Sequence, residues 1–250
     1  MKESTIFARV RENDFVDVND ENRATIKGVA FKTLFLTALT ILSGVLTSIY
    51  VPSIFQSEEK LVTMIVVLFV SMLVALFAYM IGRFVESVSH IAGSIYALAE
   101  GISLGFITAI VEMYVPGVGY AAMGATLSIF LVVASLFATG IVKGGRKLFA
   151  ISIALLLSAV LMSIITVVIA LVGSYTEYLW ASLIVEAIML LFETIFLIFS
   201  FEEATMIVQG GCSKQAEWPV ALGLMVTLVY IYIRVLRILL IVAELAGKNR

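Results

Sequence analysis

Apolar residues fill seven long segments of the chain, and short polar segments separate them. A helix needs about twenty consecutive apolar residues to cross the hydrocarbon core of a bilayer, so each segment predicts a transmembrane helix. The predicted spans are Thr33–Val51, Leu61–Gly82, Val88–Val111, Val118–Val142, Leu148–Gly173, Tyr178–Phe201 and Pro219–Ala243. The pattern therefore predicts an all-α polytopic membrane protein, and the short connections predict one seven-helix bundle.

The same pattern divides the chain into three parts. Residues 1–32 are polar, mix charges of both signs and are expected to form a flexible cytoplasmic tail without a removable signal peptide. Residues 33–243 form the predicted transmembrane domain, and residues 244–250 form a short C-terminal tail. The prolines all lie at span edges, where a helix can begin or end: Pro52, Pro116 and Pro219.

Composition narrows the class of protein and its chemistry. Charged residues make up 14% of the chain, whereas they form about a quarter of a soluble domain. The single cysteine, Cys212, and the single histidine, His90, exclude an intrachain disulfide and a cysteine or histidine metal cluster. Phosphate-loop, zinc-protease, nucleophile-elbow and dinucleotide-binding motifs are missing. We therefore expect no enzymatic activity, cofactor, metal site or nucleic-acid partner; the lipid bilayer is the expected partner, and the oligomeric state stays open.

Lysine and arginine residues near the span ends predict the orientation, because they favour the cytoplasmic side of a membrane. Eleven lie on the side of the N-terminus: Lys2, Arg9, Arg11, Arg23, Lys27, Lys32, Arg83, Lys143, Arg146, Lys147 and Lys214. Three lie on the opposite side: Lys60, Lys248 and Arg250. This bias predicts a cytoplasmic N-terminus and, with seven crossings, an external C-terminus. If the seventh segment re-enters the membrane instead, the C-terminus stays inside.

The last two predicted spans contain charged residues, which are costly in a bilayer and therefore indicate function. Glu186 and Glu193 are seven residues apart on the sixth span and share one helix face. Arg234 and Arg237 are one turn apart on the seventh span. If these helices are antiparallel neighbours, Glu193 and Arg234 lie at similar depth in the membrane, which predicts an ion pair between them. Arg237 is then expected to contact Glu186 or water, or to extend to the membrane surface. Such charges either govern an ion path or only satisfy each other.

The third predicted span combines a packing stripe with a further carboxyl group. Small residues recur at every fourth position, which lets another helix backbone approach closely: Gly93, Ala97, Gly101, Gly105 and Ala109. Glu100 flanks this stripe near the middle of the span. Its carboxyl group is expected either to form a structural hydrogen bond or to belong to a proton or ion path.

Four stretches of the chain form a recognisable series in fixed order. They are Ala24-Thr25-Ile26-Lys27-Gly28-Val29 followed by Lys32-Thr33-Leu34, Tyr96-Ala97-Leu98-Ala99-Glu100-Gly101, Thr139-Gly140-Ile141-Val142-Lys143, and Gly210-Gly211 followed by Lys214, Glu217, Trp218 and Gly223. In their order and spacing these stretches resemble the Bax inhibitor family, the transmembrane Bax-inhibitor-motif proteins, and specifically its bacterial branch. The resemblance covers nearly the whole predicted membrane domain.

The resemblance implies a seven-helix bundle with the last helix at its centre. It also implies an ion leak, reported for calcium and dependent on pH, or a regulatory role in cell-death and stress pathways through membrane partners. In the family this leak is linked to two acidic residues, one late in the sixth helix and one in the seventh, which share a proton. The matching positions here are Ser200, or less closely Glu202, and Arg234. Every aspartate lies at or before Asp20, so the family's acidic gate is altered in this chain.

Two classes of function follow. In the first, the protein is an ion leak channel or transporter, and its ion path or buried charge network comprises Glu100, Glu186, Glu193, Arg234 and Arg237. In the second, it is a non-transporting membrane protein that modulates a protease or a stress-response partner. The bacterial resemblance indicates the plasma membrane for either class.

Arg234 makes calcium an unfavourable ion for the first class of function. At about 6 Å and an effective dielectric constant near 20, one fixed positive charge repels a doubly charged cation by roughly 5 kcal/mol. A guanidinium group also keeps its proton at every physiological pH. We therefore expect poor calcium conduction that changes little between about pH 6 and 8.

Overall fold

The computed structural model describes residues 22–54, 58–139, 141 and 144–248. Seven long helices follow one another along these residues: α1 (Ile26–Ile54), α2 (Glu58–Phe84), α3 (Ser89–Tyr114), α4 (Val118–Ala138), α5 (Arg146–Val172), α6 (Tyr175–Gln209) and α7 (Glu217–Lys248). The described residues contain no β-strand, only an isolated bridge between Arg23 and Ser213. The predicted all-α fold is therefore confirmed.

All seven helices are long and apolar enough to cross a membrane, with mean hydropathies from 1.7 to 2.9. The 32 residues of α7 extend for about 48 Å, which exceeds the ~30 Å thickness of a hydrocarbon core. The length and composition of α7 therefore suffice for a complete crossing. The chain is an integral membrane protein with seven spans.

The first helix begins earlier than the apolar pattern predicts. α1 starts at Ile26 instead of Thr33, so residues 26–32 of the predicted tail are helical. Residues 1–21 of that tail lie outside the described residues. The difference arises because the backbone hydrogen bonds of a helix continue through the polar side chains Lys27 and Lys32, whereas an apolar window stops at them.

The last two helices also extend beyond their predicted spans. α6 continues past Phe201 to Gln209, and α7 continues past Ala243 to Lys248. Helix therefore replaces most of the predicted C-terminal tail. α4 ends at Ala138, and its predicted end at residue 142 lies outside the described residues.

Contacts between residues divide the chain into two compact units. The first unit contains α1 to Thr47, α2, α3 to Leu104 and the segment Glu202–Met225. The second unit contains Ser48–Ser53, Gly105–Phe201 and the chain from Val226 onward. Helices α1, α3, α6 and α7 contribute residues to both units.

In the first unit, the small-residue stripe of α3 packs against α1. The Thr40 hydroxyl donates a hydrogen bond to the carbonyl oxygen of Ala97 at 3.1 Å. A Cβ atom at Gly101 would collide with the Ser43 side chain and the Thr40 carbonyl group. The close approach of the two backbones therefore requires glycine here, and this part of the stripe serves helix packing.

Burial differs among the seven spans. In their most apolar windows, 56% of α3 and 39% of α7 is buried, whereas the other five spans reach 22% or less. The prediction that the last helix occupies the centre of the bundle stays a prediction. The buried fraction of α7 is consistent with a central position, but the buried fraction of α3 is higher, so burial does not single out α7.

Candidate functional site

Four charged side chains of α6 and α7 meet in the second unit, and we name them the charge cluster: Glu186, Glu193, Arg234 and Arg237. The Nε of Arg234 donates to Oε1 of Glu193 at 2.9 Å, and its Nη1 donates to Oε2 of Glu186 at 2.8 Å. The Nη1 of Arg237 donates to Oε1 of Glu186 at 3.2 Å. Arg234 thus bridges both carboxylates, and Glu186 contacts both guanidinium groups.

The seven-residue spacing on both helices explains why these side chains meet. Glu193 and Ser200 share one face of α6, and Thr227 and Arg234 share one face of α7. The Ser200 hydroxyl lies 3.4 Å from the Thr227 hydroxyl, and Glu193 contacts Arg234. The two helices are therefore antiparallel here and keep one register along the seam. The contact between Glu193 and Arg234 is the one that matching their depths predicts.

The acidic and basic members of the charge cluster differ in burial. The side chains of Glu186 and Glu193 are only 10% and 7% exposed. The side chain of Arg234 is 21% exposed, and that of Arg237 is 58% exposed. The carboxylates thus lie in the interior of this unit, while the guanidinium of Arg237 lies at its surface.

One oxygen atom of the charge cluster has no hydrogen-bond partner among the described residues. The Oε2 atom of Glu193 is buried and unbonded, whereas Oε1 accepts from Arg234. Leaving a buried acceptor unsatisfied costs about 1–3 kcal/mol, and more when the group is charged. Buried polar groups are usually bonded, so this exception gives Glu193 a buried acceptor that remains unused.

The two positions that match the family's acidic pair do not contact each other in this register. The Ser200 hydroxyl donates to the carbonyl oxygen of Phe196 at 3.1 Å and faces Thr227. Arg234 contacts Glu193 and Glu186 instead. The carboxylates that do face α7 therefore lie one and two heptads before Ser200 on α6.

Glu100 is separate from these contacts. It is half-buried on α3 and belongs to the first unit, whereas the charge cluster belongs to the second. Within the described part of the chain, its carboxyl group has no hydrogen bond or ion pair. The structural hydrogen bond that was one expectation for Glu100 is therefore not seen there.

A second buried charge pair joins Lys32 of α1 to Glu217 at the start of α7, in the first unit. The Nζ of Lys32 lies 2.7 Å from Oε2 of Glu217, whose side chain is 0% exposed. The backbone N–H and the hydroxyl of Thr25 donate to Oε1 of Glu217 at 2.7 and 3.3 Å. Lys32 also donates to the carbonyl oxygen of Lys214 at 2.9 Å. Both carboxylate oxygens of this pair are therefore bonded.

Small and aromatic residues surround the Lys32–Glu217 pair. A Cβ atom at Gly28 would collide with the Glu217 carboxylate, so the missing side chain makes room for it. The ammonium group of Lys32 lies 5.0 Å from the ring centroid of Trp218, a cation–π contact. The same ring lies 6.1 Å from that of His90. The pair is thus enclosed by packing as well as by hydrogen bonds.

Periodicity does not predict the Lys32–Glu217 pair, but the family resemblance offers a signal for it. Lys32 follows the first resembling stretch, and Glu217 belongs to the fourth. The two residues are 185 positions apart in the chain. The first and fourth resembling stretches thus meet at one ion pair, and this contact is a physical reason why both stretches contain a charged residue.

A further ion pair of the first unit joins α2 to α6. The Nη2 of Arg83 lies 2.6 Å from Oε1 of Glu203, and the Nη1 of Arg83 donates to the carbonyl oxygen of Pro219 at 3.3 Å. Both side chains are about one-third exposed. Arg83 thus connects the ends of α2 and α6 with the first turn of α7.

Comparison with known proteins adds one match. A family model described as Bax inhibitor 1 like matches residues 4–244. This range includes the first six spans, the seventh as far as residue 244, the charge cluster and the Lys32–Glu217 pair. No curated protein matches the chain.

Proposed function

The chain belongs to the Bax inhibitor 1 like family, and we propose that it is an ion leak channel or transporter whose passage is controlled by the charge cluster. Ionisable residues within membrane spans are rare because they are costly, and they mark ion pathways when they face a protein interior or an aqueous cavity. Four such residues meet in this cluster. The family's acidic gate is thereby replaced by carboxylates that share guanidinium partners.

The observation that carries this proposal is the unbonded Oε2 atom of Glu193. A charge cluster that served only to hold helices together would gain from bonding every buried oxygen. Glu193 instead keeps one acceptor free beside a guanidinium group. This free capacity allows the cluster to exchange partners during ion passage.

The proposed channel or transporter conducts calcium poorly and with little pH dependence. Arg234 keeps its positive charge at every physiological pH, and it lies between the two carboxylates that a divalent cation would need. Calcium flux in liposomes should therefore stay low at both about pH 6 and about pH 8, on either side of neutral pH. A calcium flux that changed severalfold over this range would contradict the assigned role of Arg234.

A second candidate function is supported by the pairing within the charge cluster. Three ion pairs connect its two glutamates and two arginines, so their formal charges balance. Such a balanced set also suits a non-transporting membrane protein that modulates a membrane partner, such as a protease or a stress factor. In that function, the cluster would only stabilise the seam between α6 and α7.

Ion flux through liposomes that contain the purified protein distinguishes the two functions. Glu193→Gln removes the carboxylate with the free oxygen, and we expect a severalfold change in ion flux. Glu86→Gln, the same substitution at an exposed glutamate of the first unit, should leave flux unchanged. Absence of any ion flux from correctly folded protein would favour the non-transporting function.

We also propose that the protein lies in a bacterial plasma membrane with a cytoplasmic N-terminus and an external C-terminus. The excess of lysine and arginine on the N-terminal side supports this orientation. Reporter fusions after Arg250 test it, because a reporter that is active only in the cytoplasm should stay inactive there. An active cytoplasmic reporter would contradict the orientation.

A further inference from the structure

The exposed side of the charge cluster is positive, although its formal charges balance. Its two carboxylates are nearly enclosed, with 10% and 7% of their side-chain area exposed. Its two guanidinium groups are more accessible, at 21% for Arg234 and 58% for Arg237. An ion that approaches the cluster therefore meets positive charge before negative charge.

Arg237 retains hydrogen-bonding capacity at this exposed side. A guanidinium group carries several N–H donors, and Arg237 uses its Nη1 in one bond to Glu186 at 3.2 Å. Its remaining donors have no partner within the described part of the chain. Because an arginine facing lipid is costly, these donors require water or another polar partner.

We propose that the charge cluster binds and passes small monovalent anions, of which chloride is the representative. This inference rests on the proposed function and names its substrate class. The anion meets Arg237 first and Arg234 next, and the N–H groups of both replace part of its hydration shell. Arginine and lysine side chains that line a pore are one means by which anion pores select their ions.

The buried carboxylates explain why an anion would be released rather than trapped. Glu186 contacts both guanidinium groups, and Glu193 contacts Arg234. Their negative charges weaken the attraction that the two arginines exert on an anion. Conduction requires such moderate binding, because an ion must leave the site as readily as it enters.

Glu244 provides an electrostatic test of the opposite sign. Glu244 is exposed and lies seven residues after Arg237, so both residues share one face of α7. Its carboxylate accepts a hydrogen bond from the Tyr175 hydroxyl. A negative charge near Arg237 opposes the entry of anions. Glu244→Gln should therefore raise anion flux, whereas Arg237→Gln should lower it.

Liposomes loaded with a chloride-sensitive dye, with potassium and calcium dyes in parallel, test the anion proposal. We expect chloride flux from the wild-type protein, a loss of at least fivefold with Arg237→Gln, and a smaller loss with Arg237→Lys. Potassium flux without chloride flux would overturn the anion proposal and leave the proposed function standing. Absence of flux for every ion from folded protein would overturn both.

A thiol introduced at position 237 gives a second readout, in which charge of either sign is added to one and the same folded variant. Cys212 is the single cysteine and is buried, so the wild-type chain serves as an unreactive control. In Arg237→Cys, a cationic methanethiosulfonate reagent should restore chloride flux, and an anionic one should not. Equal effects of the two reagents would overturn the proposal.

Discussion

The Lys32–Glu217 pair and the charge cluster both bury carboxylates in a membrane protein, but they differ in how completely those carboxylates are bonded. Both oxygens of Glu217 accept hydrogen bonds, and its side chain is fully buried. In the charge cluster, Oε2 of Glu193 has no partner among the described residues, and more than half of the Arg237 side chain is exposed.

This difference is the basis on which we assign a structural role to the Lys32–Glu217 pair and propose a functional one for the charge cluster. The bonds of Glu217 connect it to Thr25, to Lys32 and through Lys32 to the turn before α7, so both of its carboxylate oxygens are bonded. Glu193 and Arg237 keep unused acceptors and donors, which suits a site whose partners change. Both sites bury carboxylates, so the proposed difference in role rests on the completeness of their bonding.

The largest expected effect comes from breaking the Lys32–Glu217 pair. Lys32→Met leaves a fully buried carboxylate without its cation, and we expect the free energy of unfolding to fall by about 3–5 kcal/mol. Thermal unfolding in detergent measures the loss. The double variant Lys32→Met with Glu217→Gln should recover part of it, because the buried charge is removed as well. Unchanged stability of the single variant would contradict a structural role.

A smaller loss is expected when the bridging arginine of the charge cluster is removed. Arg234→Met leaves Glu193 without a partner, but Glu186 keeps Arg237, so we expect a loss of about 3 kcal/mol. Adding Glu193→Gln should return part of this stability in the same detergent assay. If Glu193→Gln alone left the melting temperature unchanged, the pair with Arg234 would contribute nothing to stability.

The enclosure of Glu217 predicts an intermediate effect at Gly28. A methyl group there would collide with the carboxylate, and overpacking of this kind costs about 1–3 kcal/mol. Gly124→Ala is a matched control, because nothing lies within 4 Å of a Cβ atom at that helical glycine. It should leave stability unchanged or raise it by up to about 1 kcal/mol. Equal results for the two substitutions would contradict the described enclosure.

The smallest effect on stability is expected at Arg237. Its ion pair is long at 3.2 Å and its side chain is 58% exposed, so Arg237→Gln should cost less than about 1 kcal/mol. The same variant is expected to lose most of the chloride flux. A large loss of stability with unchanged flux would reverse the comparison and make the charge cluster the structural site.

The periodicity of the chain predicted the spans and the contact of Glu193 with Arg234 for the same reason. Both depend on features that repeat along a helix, namely apolar windows and a seven-residue spacing of charged residues. α6 and α7 are also consecutive, so a short connection makes an antiparallel contact the simplest arrangement. The contact of Glu193 with Arg234 follows from these two facts.

The features that the sequence did not reveal depend on long-range contacts and on polar helix ends. Lys32 and Glu217 lie 185 residues apart and at the edges of their spans, where charges are ordinarily solvated. The same is true of Arg83 and Glu203, which are 120 residues apart. The free oxygen of Glu193 also depends on the rotamer of one side chain, and no sequence pattern specifies that.

The bond between Lys32 and Glu217 has a consequence for the order in which the chain can assemble during synthesis. A ribosome adds about 5–20 residues per second, so the 185 residues that separate the two take roughly 10 to 40 s to make. During that delay α1 carries a lysine whose partner does not yet exist. The contact of α1 with α3 can form earlier, because α3 is complete at Tyr114, so only the closure of α1 onto the start of α7 is a late event of assembly.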